Sequence, residues 1–210
     1  VVVTGGSGFV GSHYLSELLK RGADVRTHTH IKPLQISDDR IEVLDNIDLE
    51  NIDDCFKLVE GADYVIHSGG QICHPSNVST DIQVSIQNIK VTGNILEASY
   101  KSEVKGYLDL NSSTGYPDRR YPIKEEEFWE GEPYKSYYGY GWMRRYREKL
   151  MQHIANMNPE VYYDESKPTT IPFRMVSTDR IKNELGFKPM YTFEQGIRKT
   201  VDWYLKNKMI

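Results

Sequence analysis

The spacing of hydrophobic positions changes several times along the chain, and each change marks a predicted element. The chain opens with a β-branched run typical of a buried strand, and apolar residues then recur at helical spacing. Short apolar runs alternate with helical segments from there on, which predicts βαβ units and a parallel sheet of the α/β class. The strands are predicted at 1–3, 25–29, 41–44, 64–67 and 107–110, and the helices at 10–19, 52–59, 82–98, 138–155 and 193–206.

The composition is ordinary for a soluble globular protein. The 210 residues are 39% apolar and 27% charged, with a formal net charge of −4. Phosphate backbones demand a basic face, so the mild acidity argues against a nucleic-acid binder. No apolar run is long enough to span a bilayer, and we therefore expect no membrane partner.

Cysteine usage and the start of the chain bear on its origin. Two cysteines, Cys55 and Cys73, cannot form a disulfide framework, which favours a reducing cytoplasm. No charged segment precedes an apolar stretch, as a secretory signal would require. The chain begins at Val1, inside the first predicted strand and without an initiator methionine, so we expect it to be part of a longer product.

Three glycines stand between the first strand and the first helix. Gly5, Gly8 and Gly11 form G-x-x-G-x-x-G, where a tight turn, close approach to a pyrophosphate and close helix packing all require glycine. The helix N-terminus adds N–H groups and a positive dipole for the phosphates. This context predicts the dinucleotide loop of a Rossmann, doubly wound sheet, with Phe9 and Val10 in the same cofactor site.

Residues 3–12, Val-Thr-Gly-Gly-Ser-Gly-Phe-Val-Gly-Ser, resemble the extended branch of the short-chain dehydrogenase family, which holds NAD-dependent nucleotide-sugar epimerases, dehydratases and reductases. The segment 88–98 is similar to a helix of that family. The resemblance implies that Asp48 and Leu49 contact the adenine of the cofactor. It also implies that Ser68, Gly69 and Gly70 lie beside the cofactor after the fourth strand.

The choice between NAD and NADP depends on the end of the second strand. NAD sites usually place an acidic residue there to bind the ribose 2′-hydroxyl, and residues 25–32 contain none. Arg26, His28 and His30 alternate on one strand face, where cations suit a 2′-phosphate. We therefore expect NADP rather than NAD, with His28 and His30 in the site. Two histidines without a third ligand do not indicate a metal.

The family's chemistry uses a tyrosine acid/base with a cation one helical turn later, in a Tyr-x-x-x-Lys pattern. Only Tyr140 among the neighbouring tyrosines has a cation four residues on, and that cation is Arg144. The resemblance therefore assigns Tyr140 as the catalytic acid/base and Arg144 as the residue that tunes it and binds the cofactor ribose. Arginine is almost never deprotonated, so Arg144 cannot relay a proton as lysine might.

A serine turn follows the fifth strand. By resemblance, Ser112 hydrogen-bonds the reacting oxygen of the substrate, and Ser113 lies in the same substrate site. The ending Tyr116-Pro117 is similar to the GDP-fucose synthase group, in which a cysteine two residues past the serine takes part in epimerisation. Thr114 occupies that position, and we include it among the catalytic candidates although its hydroxyl is a weaker acid than a thiol.

The likeness to the family breaks between 154 and 161 and resumes in the tail. We expect a Rossmann domain at 1–158 and the remnant of a substrate-binding lobe at 159–210, with about 100 residues absent near 155–161. Those residues are either disordered or deleted. Lys167 and Arg174 are candidate contacts for substrate phosphates.

The resemblance implies a nucleotide-sugar substrate and hydride transfer at sugar C4. Epimerisation and reduction of a 4-keto sugar both remain open. Dehydration ranks last, because the family's dehydratases carry an Asp-Glu pair after the serine and residues 112–115 contain no acid. The alternative from another class is a catalytically silent dinucleotide-binding sensor or scaffold. The helices at 82–98 and 138–155 are those with which this family forms dimers, so we expect a homodimer.

Overall fold

Five parallel strands form the main sheet in the computed structural model, which describes residues 1–72, 82–157 and 175–207. The strands are β1 (Val2–Thr4), β2 (Val25–His28), β3 (Ile41–Leu44), β4 (Tyr64–His67) and β5 (Gly106–Asp109). Their order across the sheet is β3-β2-β1-β4-β5, and every pair is parallel. The strand order reverses beside β1, and α/β sheets bind ligands at the carboxyl edge of such a point.

Four long helices belong to the same compact unit, which spans residues 1–176. They are α1 (Phe9–Lys20), α2 (Ile52–Val59), α3 (Ile82–Lys101) and α4 (Tyr138–Met157). Helix α1 packs on one face of the sheet, and α2 and α3 pack on the other. Helix α4 contacts α3 and the turn after β5. The predicted doubly wound α/β fold is confirmed.

Both faces of β1 are buried, which explains why hydrophobic and polar residues do not alternate along this strand. Val2 belongs to the cluster shared with α2 and α3, whereas Val3 belongs to the cluster shared with α1. Both side chains are almost fully buried. Cys55 lies in the first cluster, where burial raises the pKa of its thiol to about 12. A central strand of a parallel sheet therefore has apolar residues at successive positions in its sequence.

The stretch 121–136 contains more structure than its sequence indicates, since no strand or helix is predicted there. A two-residue strand, β6 (Pro122–Ile123), pairs in parallel with β7 (Met175–Val176). The side chain of Ile123 is fully buried, and Phe128 is also buried. Two residues are too few to show an alternation of hydrophobic and polar positions, and the partner strand lies far along the chain. The sequence pattern therefore did not reveal this strand.

A second compact unit spans residues 177–210. It contains α5 (Asp179–Leu185), which ends at Gly186 in the left-handed conformation, and α6 (Phe193–Asn207). The predicted domain boundary at residue 158 falls in the stretch 158–174, outside the described residues. Of the helices in the described part of the chain, none is long and apolar enough to cross a membrane.

Candidate active site

The loop between β1 and α1 is closed tightly by its own backbone. The N–H of Gly8 donates to the carbonyl of Gly5 at 2.9 Å, and Gly5 has a positive φ of 68°. A Cβ on Gly11 would lie 2.1 Å from the same carbonyl oxygen. Any side chain at position 11 would therefore force the loop apart.

The first turn of α1 follows this loop directly, and no side chain caps its N-terminus. Gly8 is the N-cap, and no acidic residue stands in the first turn. Phe9 and Val10 begin the helix, with Phe9 exposed. Helix N-termini carry a partial positive charge and N–H groups without intrahelical partners, which suits an anion. The glycine backbone and this helix start form a cradle that fits the pyrophosphate of a dinucleotide.

The residues after β4 are packed against the glycine loop. The Ser68 hydroxyl donates to the carbonyl of Thr4 at 2.6 Å, and the N–H of Gly69 donates to Thr4 Oγ1 at 3.0 Å. A Cβ on Gly5 would lie 2.9 Å from the Cα of Gly69. The structure therefore brings the predicted residues of the two loops together at one edge of the sheet.

His67 stabilises this edge of the sheet through two side-chain hydrogen bonds. Its Nδ1 hydrogen-bonds Thr4 Oγ1 at 2.8 Å, and its Nε2 hydrogen-bonds Thr92 Oγ1 at 3.2 Å. Complete burial, with Arg147 and Arg144 nearby, lowers the pKa of His67 well below its ordinary value. A neutral His67 therefore links β1 and β4 to α3. The sequence predicts His67 only as the last residue of the fourth strand.

The predicted adenine residues follow β3. Leu49 is buried, and its Cδ1 would lie 3.3 Å from a Cβ on Gly69. The Asp48 carboxylate accepts the N–H of Glu50 at 2.9 Å, which shapes the turn before α2. Leu49 therefore lies beside the loop after β4, whereas one oxygen of Asp48 is bonded within its own turn.

The two predicted histidines of the cofactor site differ in their surroundings. His28 is buried, and its Nε2 accepts the N–H of Gly5 at 3.3 Å. Burial is the largest cause of its lowered pKa. His30 is exposed. Arg26, from the same predicted face, instead pairs with Glu42 at 2.7 Å. Within the described residues, no group of three His, Cys, Asp or Glu side chains is arranged to hold a metal.

Tyr140 and Arg144 meet on the buried side of α4. Arg144 Nη2 donates to the Tyr140 hydroxyl at 2.5 Å, and the guanidinium carbon lies 4.8 Å from the ring centroid. The Tyr140 hydroxyl in turn donates to the carbonyl of Gln71 at 3.3 Å. Burial is the largest cause of the lowered pKa of Arg144, and Arg147 adds to it. A phenol held against a guanidinium is suited to proton exchange with a substrate hydroxyl.

Asn88 of α3 holds Gln71, whose carbonyl also accepts from the Tyr140 hydroxyl, and the sequence did not reveal this role. Its side-chain amide donates to the carbonyls of Gln71 at 3.0 Å and Val84 at 2.8 Å, and its Oδ1 accepts the N–H of Gln71. A Cβ on Gly70 would lie 2.4 Å from Asn88 Oδ1. The signal available in the sequence was a polar residue among the apolar positions of an amphipathic helix. In the structure the side chain of Asn88 is 1% exposed.

The serine turn after β5 is a 3₁₀ turn, Ser113–Gly115. Ser112 caps it, because its hydroxyl oxygen accepts from the N–H of Thr114 at 3.3 Å and from its hydroxyl at 3.1 Å. Asn111, another residue that the sequence did not single out, donates to the carbonyl of Arg144 at 3.1 Å. The turn is thereby fastened to the helix that carries Tyr140.

Three sequence-predicted candidates, Ser113, Lys167 and Arg174, complete the set. Ser113 is half-buried within the same turn. Lys167 and Arg174 lie outside the described residues. The described candidates therefore group around the carboxyl edge of the sheet and the first half of α4.

Part of this chain is similar in sequence to proteins that are named for an activity. A GDP-mannose 3,5-epimerase 1 of Oryza sativa subsp. japonica is 27% identical over 165 residues, covering 74% of this chain and 42% of that protein. A dTDP-glucose 4,6-dehydratase of Escherichia coli is 62% identical over 60 residues, covering 29% of this chain and 17% of that protein. The chain thus spans less than half the length of these relatives.

The fold has a counterpart among solved structures. The structure of a UDP-glucose 4-epimerase from Bifidobacterium longum, in complex with NAD+ and UDP, aligns with a TM-score of 0.64. The alignment covers 75% of this chain and 49% of that chain at 24% identity, which is a likeness of fold.

The profile of a protein family matches residues 1–170, from the first strand to beyond α4. Since that match covers most of the chain, the chain belongs to the NAD dependent epimerase/dehydratase family.

Proposed function

We propose that this chain forms the cofactor-binding and catalytic part of an NAD(P)-dependent nucleotide-sugar epimerase or 4-keto-reductase. The observation that carries the proposal is the 2.5 Å hydrogen bond between Tyr140 and Arg144. The rice relative is named for GDP-mannose, and the Bifidobacterium structure contains UDP and NAD+. These names support a nucleotide-activated sugar as the substrate class. The matched relatives are much longer, so activity, substrate and partners are all proposals.

The glycine cradle supports binding of the cofactor. Gly5, Gly8 and Gly11 would hold the pyrophosphate, with Phe9 and Val10 at the helix start. Residues 68–70 and 48–49 would line the rest of the cofactor. The cofactor held by these residues would supply hydride exchange at sugar C4.

The Tyr140 hydroxyl would exchange a proton with the oxygen on sugar C4. Arg144 would stabilise the phenolate by its charge and anchor the cofactor ribose, but a guanidinium keeps its protons. The proton of Tyr140 must therefore travel to or from substrate or water. In the free enzyme this hydroxyl donates to the carbonyl of Gln71 at 3.3 Å. The sugar oxygen would replace that acceptor.

Ser112 would hydrogen-bond the same sugar oxygen, with Ser113 beside it. Thr114 stands where the GDP-fucose synthase group has a cysteine, and its hydroxyl is already bonded to Ser112. An aliphatic hydroxyl is a poor acid at neutral pH. We therefore favour chemistry at C4 by hydride transfer. Lys167 and Arg174 remain predicted contacts for the substrate phosphates.

Substitution of Tyr140 by phenylalanine tests the proposal. With a panel of nucleotide sugars, we expect turnover to fall by about 10²–10⁴-fold, because general acid–base catalysis contributes that much. Cofactor affinity should change little. Tyr138→Phe, at an exposed tyrosine of the same helix, is the matched control. A wild-type chain that binds cofactor yet turns over no sugar would favour the silent sensor or scaffold instead.

A dehydratase is the second candidate, favoured by the stretch that is 62% identical to the E. coli enzyme. The family's dehydratases carry acids after the serine, and residues 113–115 are Ser-Thr-Gly. Mass spectrometry of the product distinguishes the reactions, because dehydration alone removes one water from the sugar. Loss of water from dTDP-glucose would replace the epimerase or reductase proposal.

We also propose a homodimer formed through α3 and α4. Their outer faces carry large hydrophobic side chains that are at least 39% exposed: Ile82, Ile86, Ile89, Tyr138, Trp142 and Tyr146. Exposed apolar patches of this kind mark protein interfaces. Light scattering that shows only monomer at micromolar concentration would reject the dimer. A reducing cytoplasm remains the prediction from the two cysteines.

A further inference from the structure

Arg145 is a buried cation of α4 that the sequence did not single out. It follows Arg144 directly, and it is only 3% exposed. Within the described residues its side chain donates three hydrogen bonds, each to a backbone carbonyl. Nε donates to Gly115 at 2.7 Å, Nη1 to Gly131 at 2.6 Å and Nη2 to Glu130 at 3.1 Å. Burying a charge is costly unless the group is hydrogen-bonded, so these three contacts are what stabilises the guanidinium inside the protein.

Two aromatic rings lie against the same guanidinium. Its carbon atom is 5.0 Å from the ring centroid of Trp142 and 5.8 Å from that of Phe128. A guanidinium can donate in several fixed directions in its plane and still face an aromatic ring, whereas a lysine ammonium is a point charge. The surroundings of Arg145 therefore fit an arginine and not simply any cation.

The first of the three carbonyls belongs to the serine turn after β5. Gly115 is the last residue of this turn, and Ser112 caps it. One helical turn before Arg145, a Cβ on Gly141 would lie 2.6 Å from the carbonyl oxygen of Thr114. Positions 141 and 145 share one face of α4, because residues four apart are neighbours on a helix. The helix that carries the candidate catalytic tyrosine therefore contacts the serine turn at two points.

The other two carbonyls belong to the segment that leads into α4. Gly131 has a φ of 53°, in the left-handed region that favours glycine. Two residues later, Pro133 forms an isolated antiparallel bridge with Pro117, which lies just past the serine turn. The single side chain of Arg145 therefore connects the segment before α4 with the turn after β5.

We propose that Arg145 is a positioning residue that fixes the serine turn, and with it the hydroxyl of Ser112, relative to Tyr140. This inference rests on the proposed function for the roles of those two hydroxyls. Arg144 donates to the Tyr140 hydroxyl, whereas Arg145 donates to the turn that Ser112 caps. Two neighbouring arginines thus orient the two candidate hydroxyls from one place on α4. Both hydroxyls must meet the same sugar oxygen, and a small misplacement of such a group costs much of the rate.

Amide hydrogen exchange tests the positioning without turnover. The N–H groups of Thr114, Gly115 and Tyr116 are hydrogen-bonded within the serine turn. Arg145→Lys keeps the charge but cannot donate to three separate carbonyls in one plane. We expect these three amides to exchange about ten-fold faster or more, because the turn opens locally. The amides of the glycine loop should exchange as in the wild-type chain.

Lys149→Met is the matched control, since Lys149 is an exposed cation one turn further along α4. Its serine turn should exchange at the wild-type rate. Arg145→Gln is a second variant that leaves no buried charge, and circular dichroism checks that each variant is folded. Unchanged exchange of the serine turn in the folded Arg145 variants would overturn the proposal.

A double-mutant cycle with Ser112 measures the catalytic consequence. With a panel of nucleotide sugars, Arg145→Lys should lower kcat by about 10–100-fold. Cofactor affinity should change little, since none of the described contacts of Arg145 lies in the glycine cradle. In a Ser112→Ala background the same substitution should change kcat by no more than about two-fold, because residues that act through one another are not additive.

Equal losses of kcat in the two backgrounds would overturn the proposal, because Arg145 would then act by a route other than Ser112. Faster exchange of the serine turn with an unchanged kcat would also overturn it and would leave the proposed function standing. A wild-type chain that turns over no sugar would reject the proposed function. The exchange of the serine turn would still decide whether Arg145 holds that turn in place.

Discussion

The guanidinium of Arg147 forms an ion pair with the carboxylate of Asp109, and their side chains are only 3% and 7% exposed. Arg147 lies about one turn beyond Arg144 and about two turns beyond Tyr140 on α4, whereas Asp109 ends the strand that leads to Ser112. The pair therefore joins the two elements that carry the candidate catalytic hydroxyls. Neither residue stood out in the sequence.

Removing one partner should leave the other charge buried. We expect Asp109→Ala to lower the free energy of unfolding by about 3–5 kcal/mol, as broken buried pairs do. The double variant Asp109→Leu with Arg147→Met should be more stable than Asp109→Ala, since no isolated charge remains. Urea denaturation measures both.

The exposed pair of Lys101 and Glu97 on α3 provides the control. Glu97→Ala should cost no more than about 1 kcal/mol, because solvent screens a surface pair. Equal losses in Asp109→Ala and Glu97→Ala would mean that the buried pair does not hold α4 against β5.

Arg144 should be replaceable by lysine but not by a neutral residue. Arg144→Met removes the charge that lies 2.5 Å from the Tyr140 hydroxyl, and we expect turnover to fall at least 100-fold. Arg144→Lys keeps the charge and should retain most of the activity. Arg21→Met, at the exposed arginine that follows α1, is the control in the same kinetic assay. Similar rates for Arg144→Met and the wild-type chain would remove Arg144 from the mechanism.

The glycine cradle should not tolerate a single methyl group. Gly11→Ala would place a Cβ 2.1 Å from the Gly5 carbonyl oxygen, so we expect cofactor binding to be lost. Gly196→Ala, in α6, meets no atom within 4 Å outside the nearby backbone of its own helix and should leave cofactor affinity unchanged. Calorimetric titration compares the two variants, and circular dichroism checks that each is folded. Tight binding by Gly11→Ala would mean that the loop is not the pyrophosphate site.

His67 should make stability depend on pH. Burial lowers its pKa well below 6.5 in the folded chain. As pH falls from 7.5 to 5.5 the unfolded chain takes up a proton that the folded chain does not, so stability decreases. One such group contributes about 1.4 kcal/mol over this range.

His67→Asn should remove that part of the decrease, whatever its effect on stability at pH 7.5. His153→Asn, at an exposed histidine of α4, should retain it. Denaturant unfolding at the two pH values measures the difference. An unchanged decrease in His67→Asn would show that His67 is protonated in the folded chain.

Much of the fold was predictable because hydrophobic residues recur at a clear spacing along its main strands and helices. Predicted and observed bounds agree for β3, β4 and α2, and α3 extends three residues further than predicted. The pairing of β6 with β7 was missed, because strands of two residues are too short to show an alternation of hydrophobic and polar positions. The Tyr140–Arg144 pair was predictable because four residues make about one helical turn, which brings such side chains together wherever the helix lies.

The sequence by itself determined the alternation of strands and helices, the glycine turn and the tyrosine–arginine register, because each depends on residues that are close along the chain. Only the tertiary structure decided which polar groups meet across elements. Asp45 lies beside Thr29, Asn88 holds Gln71, and Asp109 pairs with Arg147. These contacts join strands and helices that are distant in sequence, and the packing of the sheet sets their distances.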